Sequence, residues 1–279
     1  MNTSLTPDAN LEERWRPRLV ALDIDGTLVD PDNNFSPAVE AAVHAVLDAG
    51  THVVLSTGRG LTATRPLAER LALPKPYLVC SNGAVTVRLH PEPELLDIVR
   101  FDPGPVLHLL LERMPDVLVA VEELGVGYRV NKPFPPGELT GQLVVEPLEK
   151  LVADPATRVI LREPSNEAER FLDVIDRVGL HGVSYYIGYT AWLDIAPDGV
   201  SKATALEKIT NRLGVDRADV LAIGDGANDV EMLAWAGRGV AMGNATPAVQ
   251  EVADAVTKSR ADDGVALELA RWFDVPGAA

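Results

Sequence analysis

Three times in its first third the chain repeats one device: a short apolar run, partly β-branched, that stops on a polar, glycine-bearing turn. Leu19-Val20-Ala21-Leu22 runs into Asp23-Ile24-Asp25-Gly26-Thr27, His52-Val53-Val54-Leu55 into Ser56-Thr57-Gly58-Arg59, and Tyr77-Leu78-Val79-Cys80 into Ser81-Asn82-Gly83. Runs this short, bounded by glycine, read as buried strands. Helical periods lie between them. Ser36-Pro37 supplies a cap and a first-turn proline ahead of Val39, Val43, Val46 and Leu47, and Gly50 ends that helix. A second helix is expected over 61–72. Strand–turn–helix units in series predict an α/β fold, a Rossmann-like parallel sheet whose chemistry lies at the carboxyl ends of its strands.

The same rhythm returns after residue 200. Ser201 caps a helix carrying Ala205, Leu206, Ile209 and Leu213, and Val220-Leu221-Ala222-Ile223 ends on Gly224-Asp225-Gly226-Ala227-Asn228-Asp229. Further strands are expected at 239–242 and 255–256, with helices after Thr246-Pro247 and over 265–273. Between the two halves the texture changes. Pro and Gly punctuate it, strand-like pieces fall at 117–121, 142–145, 159–161 and 184–187, and helices are expected at 105–113 and 167–178. The expected organisation is a flexible extension over 1–17, a catalytic core of 18–85 and 190–279, and an inserted α+β cap of 86–189.

Composition narrows the function. Against 25 Lys and Arg stand 41 Asp and Glu, a formal charge of −16, which disfavours nucleic-acid and anionic-membrane partners. A small anionic substrate stays compatible with that charge if a metal or a few local cations receive it. No run approaches the roughly twenty apolar residues of a membrane span, and 1–17 lacks the apolar heart of a signal peptide. The single cysteine, Cys80, excludes an internal disulfide and a cysteine-rich zinc site. A cytoplasmic monomer or weak homodimer is expected.

Asp23 and Asp25 stand two apart directly after a strand. In extended chain such residues face one space, and paired carboxylates repel unless a cation joins them. Mg²⁺ takes one or two carboxylates together with substrate phosphate. A solvated turn with incidental acids is the alternative, and the pair alone does not decide between them. The histidines at 44, 52, 90, 108 and 181 form no metal-ligand pair. Trp192, Trp235 and Trp272 read as packing residues, and Glu122-Glu123 as a solvated face.

Four separated motifs, in order, resemble those of the haloacid dehalogenase superfamily of phosphohydrolases: Asp23-Ile24-Asp25-Gly26-Thr27-Leu28, Thr57-Gly58-Arg59, Lys202 and Gly224-Asp225-Gly226-Ala227-Asn228-Asp229. Ser81-Asn82-Gly83-Ala84 is similar to a further motif of the Cof-like group. The resemblance spans nearly the whole chain after the extension. It implies Asp23 as nucleophile, forming an aspartyl-phosphate, and Asp25 as general acid and then base. It implies phosphate contacts from Thr57 and Lys202, and substrate contacts from Gly26, Thr27, Gly58, Arg59, Asn82 and Asn228. It also implies a Mg²⁺ site built from Asp23, Asp25, Asp225 and Asp229.

Ordinary structural roles compete at several positions. Thr57 suits a helix N-cap, Arg59 an exposed surface, and Asn82 a turn before glycine. Lysine in a first helical turn, as at Lys202, opposes the helix dipole, which favours its functional role. Ala203 departs from the glycine many relatives carry after this lysine, so closeness of packing there is in question.

Where the insert falls indicates the subclass. Residues 25 and 57 are 32 positions apart, enough for one helix and one strand, whereas residues 57 and 202 are 145 apart, far more than a crossover needs. A cap between the second and third motifs is the Cof-like placement. The expected activity is Mg²⁺-dependent hydrolysis of a small phosphorylated metabolite, with sugar phosphates foremost. The alternatives are a phosphomutase of the phosphomannomutase type and a non-catalytic phospholigand-binding module.

Overall fold

The computed structural model describes residues 15–74, 76–90, 92–164, 171, 173–175, 177, 180–187 and 191–277. The first sheet has eight strands. β1 (Leu19–Leu22) lies at its centre between β2 (His52–Ser56) and β12 (Val220–Gly224), both parallel to it. β3 (Tyr77–Cys80) continues the sheet on one side, and β13 (Arg238–Ala241) and β14 (Ala255–Val256) continue it on the other, all parallel.

Every residue of β1 and β12 is buried, as a strand covered on both faces requires. Val20, Leu22, Val53, Leu55, Leu221 and Ile223 pack on one side, where helix Pro37–Asp48 lays down Val39, Ala42, Val43 and Val46. Leu19, Ala21, Val54, Val220 and Ala222 pack on the other, against Leu206 and Ile209 of helix Lys202–Leu213. Both helices begin as the sequence foretells. Ser36 Oγ accepts from Val39 N, and Ser201 forms a reciprocal cap with Thr204.

Two more strands extend this sheet antiparallel beyond β3: β4 (Val85–Arg88) and β5 (Glu94–Ile98). The second sheet has six strands, which pair in the spatial order 183–187, 192–197, 159–162, 118–123, 127–130 and 142–145. Its members are β6 (Leu118–Glu123), β7 (Gly127–Val130), β8 (Gln142–Val145), β9 (Val159–Arg162), β10 (Val183–Ile187) and β11 (Trp192–Pro197). The expected boundaries therefore need correction at both junctions. β4 and β5 belong to the core sheet and β11 to the cap sheet. The reason is pairing: β4 folds back onto β3, and β11 sits between β9 and β10, neither of which the expected boundaries allowed for.

Side chains alternate across the cap sheet. Val119, Val121, Val159, Leu161, Leu193 and Ile195 form one face, covered by Val106, Leu107 and Leu110 of helix Gly104–Leu111. Leu118, Ala120 and Ile160 lie on the other, with Tyr128 and Trp192. The helix expected over 167–178 falls largely outside the described residues; residues 171, 173–175 and 177 are helical, and Phe171 and Ile175 are buried.

Residues 1–14 of the expected extension also lie outside the described residues. Its end is not loose. The Trp15 indole donates to Ala218 O at 2.9 Å and meets the Trp272 ring edge-on at 4.8 Å, while Pro17 O accepts from Thr51 Oγ1 at 3.1 Å. No helix among the described residues is long and apolar enough to cross a membrane.

Candidate active site

Four strands of the core sheet deliver the motif residues to one end. Asp23 follows β1, its N–H donating to Ile223 O at 3.0 Å, and its side chain is buried. Lys202, fully buried in the first turn of its helix, donates to Asp23 Oδ1 at 2.6 Å and to Asp229 Oδ1 at 2.6 Å. Asp229 is fixed from behind, since its Oδ2 accepts from Asp225 N at 3.0 Å and Gly226 N at 2.9 Å. Thr27 Oγ1 donates to Asp225 Oδ1 at 3.3 Å. One oxygen each from Asp23, Asp225 and Asp229 lie within 4.8 Å of one another.

Gly26 makes this approach feasible. Its φ of 76° is left-handed, and a Cβ there would lie 2.2 Å from Asp225 Oδ2, so no other residue fits without displacing that carboxylate. Across the site, the methyl of Ala203 is accommodated within a buried helix start.

The electrostatics are those of crowded, buried acids. Burial first, and then the Asp229 carboxylate, push Asp23 well above the ordinary carboxylate range, against the pull of Lys202. Asp225 is raised to about 6, again by burial and then by Asp229. Burial opposes the charge of Lys202, but Asp229 and Asp23 outweigh it and hold the ammonium protonated. One ammonium thus faces three buried carboxylates. The all-oxygen donor set, with three carboxylates meeting at one point, fits a hard dication such as Mg²⁺.

Asp25 does not join that group. Its carboxylate is largely exposed and is gripped in two-pronged fashion by Arg59, with Nε to Oδ2 at 2.8 Å. The expectation of a shared orientation rested on strand alternation, and β1 ends at Leu22, before either aspartate. Both still border the same cavity, of about 580 Å³. Arg59 is correspondingly more buried than a surface arginine.

The second and third strand ends meet beside it. Thr57 is fully buried and its Oγ1 accepts from Arg59 N at 3.1 Å within the turn; it is not a helix N-cap, because the helix that follows begins at Leu61 with Gly60 in that position. Ser81 and Asn82 take left-handed φ values of 51° and 53°, and Asn82 Oδ1 accepts from Asn228 Nδ2 at 2.9 Å. Gly58 lies against both amides, where a Cβ would come within 3.1 Å of Asn82 Oδ1.

Two residues escaped the sequence reading. Asn244 Nδ2 donates to Asp225 Oδ2 at 3.0 Å and to Gly26 O at 2.9 Å, and its Oδ1 accepts from Arg260 N at 2.8 Å. It follows the carboxyl end of β13, so the rule that found the other motifs extends to it. Glu122, expected on a solvated face with Glu123, is buried and accepts from Ser81 Oγ and Thr157 Oγ1, each at 2.7 Å; only Glu123 is exposed. Trp192 packs edge-on to Phe134, as a packing residue should, but it also lines the cavity beside Tyr128, Arg158 and Asp194.

A family model described as haloacid dehalogenase-like hydrolase matches residues 20–112 and 138–269, covering every motif residue above. The chain belongs to the haloacid dehalogenase-like hydrolases. It is 29% identical over 278 residues to the 5-amino-6-(5-phospho-D-ribitylamino)uracil phosphatase YitU of Bacillus subtilis, covering 93% of this chain and 99% of that one. It is 29% identical over 273 residues to the HMP-PP phosphatase of Cronobacter sakazakii, covering 93% and 97%. Among solved structures, BT1666 of Bacteroides thetaiotaomicron, described among phosphatases of the superfamily, superposes with a TM-score of 0.75 at 28% identity, over 97% of this chain and 99% of that one.

This hydrolase is accordingly a phosphoric monoester hydrolase of the haloacid dehalogenase type. Its cap sheet lies between Thr57 and Lys202, the Cof-like placement.

Proposed function

We propose that this hydrolase removes phosphate from small phosphorylated metabolites, sugar phosphates foremost, through an aspartyl-phosphate on Asp23 and with Mg²⁺ as cofactor. One observation carries the reading. Asp23 is a buried carboxylate held by a buried ammonium at the border of a cavity, with a second carboxyl, Asp25, two residues away on the same border. The names of the relatives support a small phosphorylated substrate.

Asp23 and Asp225 would hold the metal, with Asp229 beside them. When bound, Mg²⁺ supplies charge neutralisation for the phosphoryl group. The remaining work belongs to the protein. Lys202 fixes one oxygen of Asp23, while Thr57, Asn82 and Asn228 orient the phosphoryl oxygens from the neighbouring strand ends. The free oxygen of Asp23 attacks phosphorus, and the bond from phosphorus to the leaving oxygen breaks. Asp25, as acid, gives that oxygen its proton. Asp25, now ionised, takes a proton from water, whose oxygen attacks the aspartyl-phosphate; inorganic phosphate leaves and Asp23 is restored. The grip of Arg59 on Asp25 must loosen for this. An incoming phosphate dianion competes for the same guanidinium.

A phosphate-release screen with Mg²⁺ over sugar, nucleotide, flavin and pyridoxal phosphates tests the activity. Borohydride trapping of the intermediate, followed by peptide mapping, tests the nucleophile. Homoserine at position 23 is the expected product; homoserine elsewhere, or none under turnover, removes Asp23 from the role. Isomerised sugar phosphate in place of inorganic phosphate would instead establish transfer.

A further inference from the structure

The cap carboxylate Glu122 is buried at the joint between the two sheets. Its Oε2 accepts from Thr157 Oγ1 in the cap and from Ser81 Oγ in the core, each at 2.7 Å, and both hydroxyl residues are buried. The core is shaped to receive it. Gly60 starts helix Leu61–Arg70 with an ordinary φ of −72°, so conformation does not demand glycine there. Space does: a Cβ on Gly60 would lie 2.3 Å from Glu122 Oε1.

Ser81 sits in the first of two successive left-handed, non-glycine positions, and Asn82 is the second. Such backbone persists only where several ties over-determine it. Within the core, Ser81 N donates to Arg59 O at 2.8 Å, Asn82 N to Thr57 O at 3.1 Å, and Asn228 holds the Asn82 amide. The tie from the Ser81 side chain runs out of the core altogether, to Glu122.

We propose that Glu122 is a positioning residue. Acting through Ser81, it holds Asn82 in its phosphate-facing geometry, so that the core's phosphate pocket is complete only with the cap docked. This rests on the phosphatase reading for what Asn82 faces, but not for the link itself. Thr157 makes an equal hydrogen bond to the same oxygen from within the cap and none to Ser81 or Asn82, so it separates this role from simple support of the cap.

The test compares Ser81→Ala, Glu122→Ala, their double variant, Glu122→Gln and Thr157→Ala in the full chain, with 4-nitrophenyl phosphate and Mg²⁺. Ser81→Ala and Glu122→Ala should each lower kcat/KM by roughly 10- to 100-fold, the scale of loss from small misplacements of a positioning group. Inhibition by inorganic phosphate should weaken in parallel. The double variant should be no worse than the poorer single one, because both break the same link. Glu122→Gln, which keeps an acceptor for Ser81 Oγ, should recover most of the activity, and Thr157→Ala should stay within about 3-fold of the parent. Amide exchange at Asn82 should quicken in Ser81→Ala and Glu122→Ala but not in Thr157→Ala. Additive losses, unchanged exchange, or equal losses in Thr157→Ala and Ser81→Ala would overturn the proposal. If Glu122→Ala does not fold, the contrast between Ser81→Ala and Thr157→Ala decides. If the parent releases no phosphate from any ester, the phosphatase reading fails by itself, and exchange at Asn82 still settles the role of Glu122.

Discussion

The two sheets use their strands in opposite ways. In the core sheet, the central strands are buried almost throughout and the motif residues Asp23, Thr57, Asn82 and Asp225 sit beyond their ends. In the cap sheet, one face is covered by helices, and cavity-lining side chains stand on the other, at Glu122, Tyr128, Trp192 and Asp194. Strand ends that converge from a parallel sheet make one fixed site. A sheet face makes a broad wall whose members are replaceable one at a time. The difference teaches that the core is suited to set the reaction and the cap wall to choose what is presented to it.

Substitutions in the core should therefore depress every substrate alike, most of all at the proposed nucleophile. Asp23→Asn is expected to reduce turnover by roughly 10⁴-fold or more across a substrate panel, as loss of a nucleophile does elsewhere. The same change relieves buried carboxylate repulsion, so the melting temperature of the chelated protein should hold or rise. A variant retaining turnover within a few-fold of the parent would dissolve the contrast between the sheets.

Next in size is Lys202→Met. Removing one partner of a buried ion pair costs about 3–5 kcal/mol, and here two carboxylates lose their ammonium at once. Turnover should fall by about 10³-fold on all substrates, with a clear drop in melting temperature by calorimetry. An unchanged melting curve would mean that the charge cluster is not held by Lys202.

The cap wall should respond selectively. Trp192→Ala and Asp194→Asn are each expected to shift the ratio of kcat/KM between bulky and small phosphate esters by about 10-fold, the range of a few lost pocket contacts. Activity on a small aryl phosphate should stay within about 3-fold. A uniform fall across the panel would show that the wall serves catalysis rather than choice.

The smallest effect concerns acidity. Burial and then Asp229 push Asp225 up to about 6 in the folded protein, against an ordinary value near 4. A raised folded value means that the fold binds this proton more tightly than the unfolded chain does. Its stabilising contribution is whole below about pH 4 and is lost as pH rises through about 6. Chelated protein should therefore melt a few degrees lower at pH 7 than at pH 5, and excess Mg²⁺ should reverse the difference at pH 7. Equal melting temperatures at the two pH values without metal would argue against the crowding of these acids.

How legible each part was follows from the same contrast. A parallel strand announces its functional end, because an apolar run stops at a polar turn, and the motifs after β1, β2 and β12 stand on that signal, while Lys202 at a helix start and the roles of all four came from the family resemblance. Asp25 shows its limit, since alternation predicts orientation only while the strand lasts. The cap sheet carries its functional groups within strands, where Glu122 beside Glu123 looks like an ordinary wet edge. Only the pairing of β6 with β9, and the Ser81 and Thr157 hydroxyls brought to it, reveal a buried acid. The junctions were misplaced for a related reason: β4 and β5 are joined to the core by hydrogen bonds to β3, which no local pattern records.

The edge-on indoles of Trp15 and Trp272 clasp the start of the described chain to its far end, with Arg238 and Arg271 over the second ring at 5.3 Å and 5.6 Å. Aromatic transitions this close couple optically, so the clasp is expected to contribute to the near-ultraviolet dichroism of the folded molecule. That contribution belongs to the contact between Trp15 and Trp272 in the core, apart from Trp192, which lines the cavity. It provides an internal gauge by which the closure of the core can be followed, in a cuvette and without a label, while the active site is altered at will.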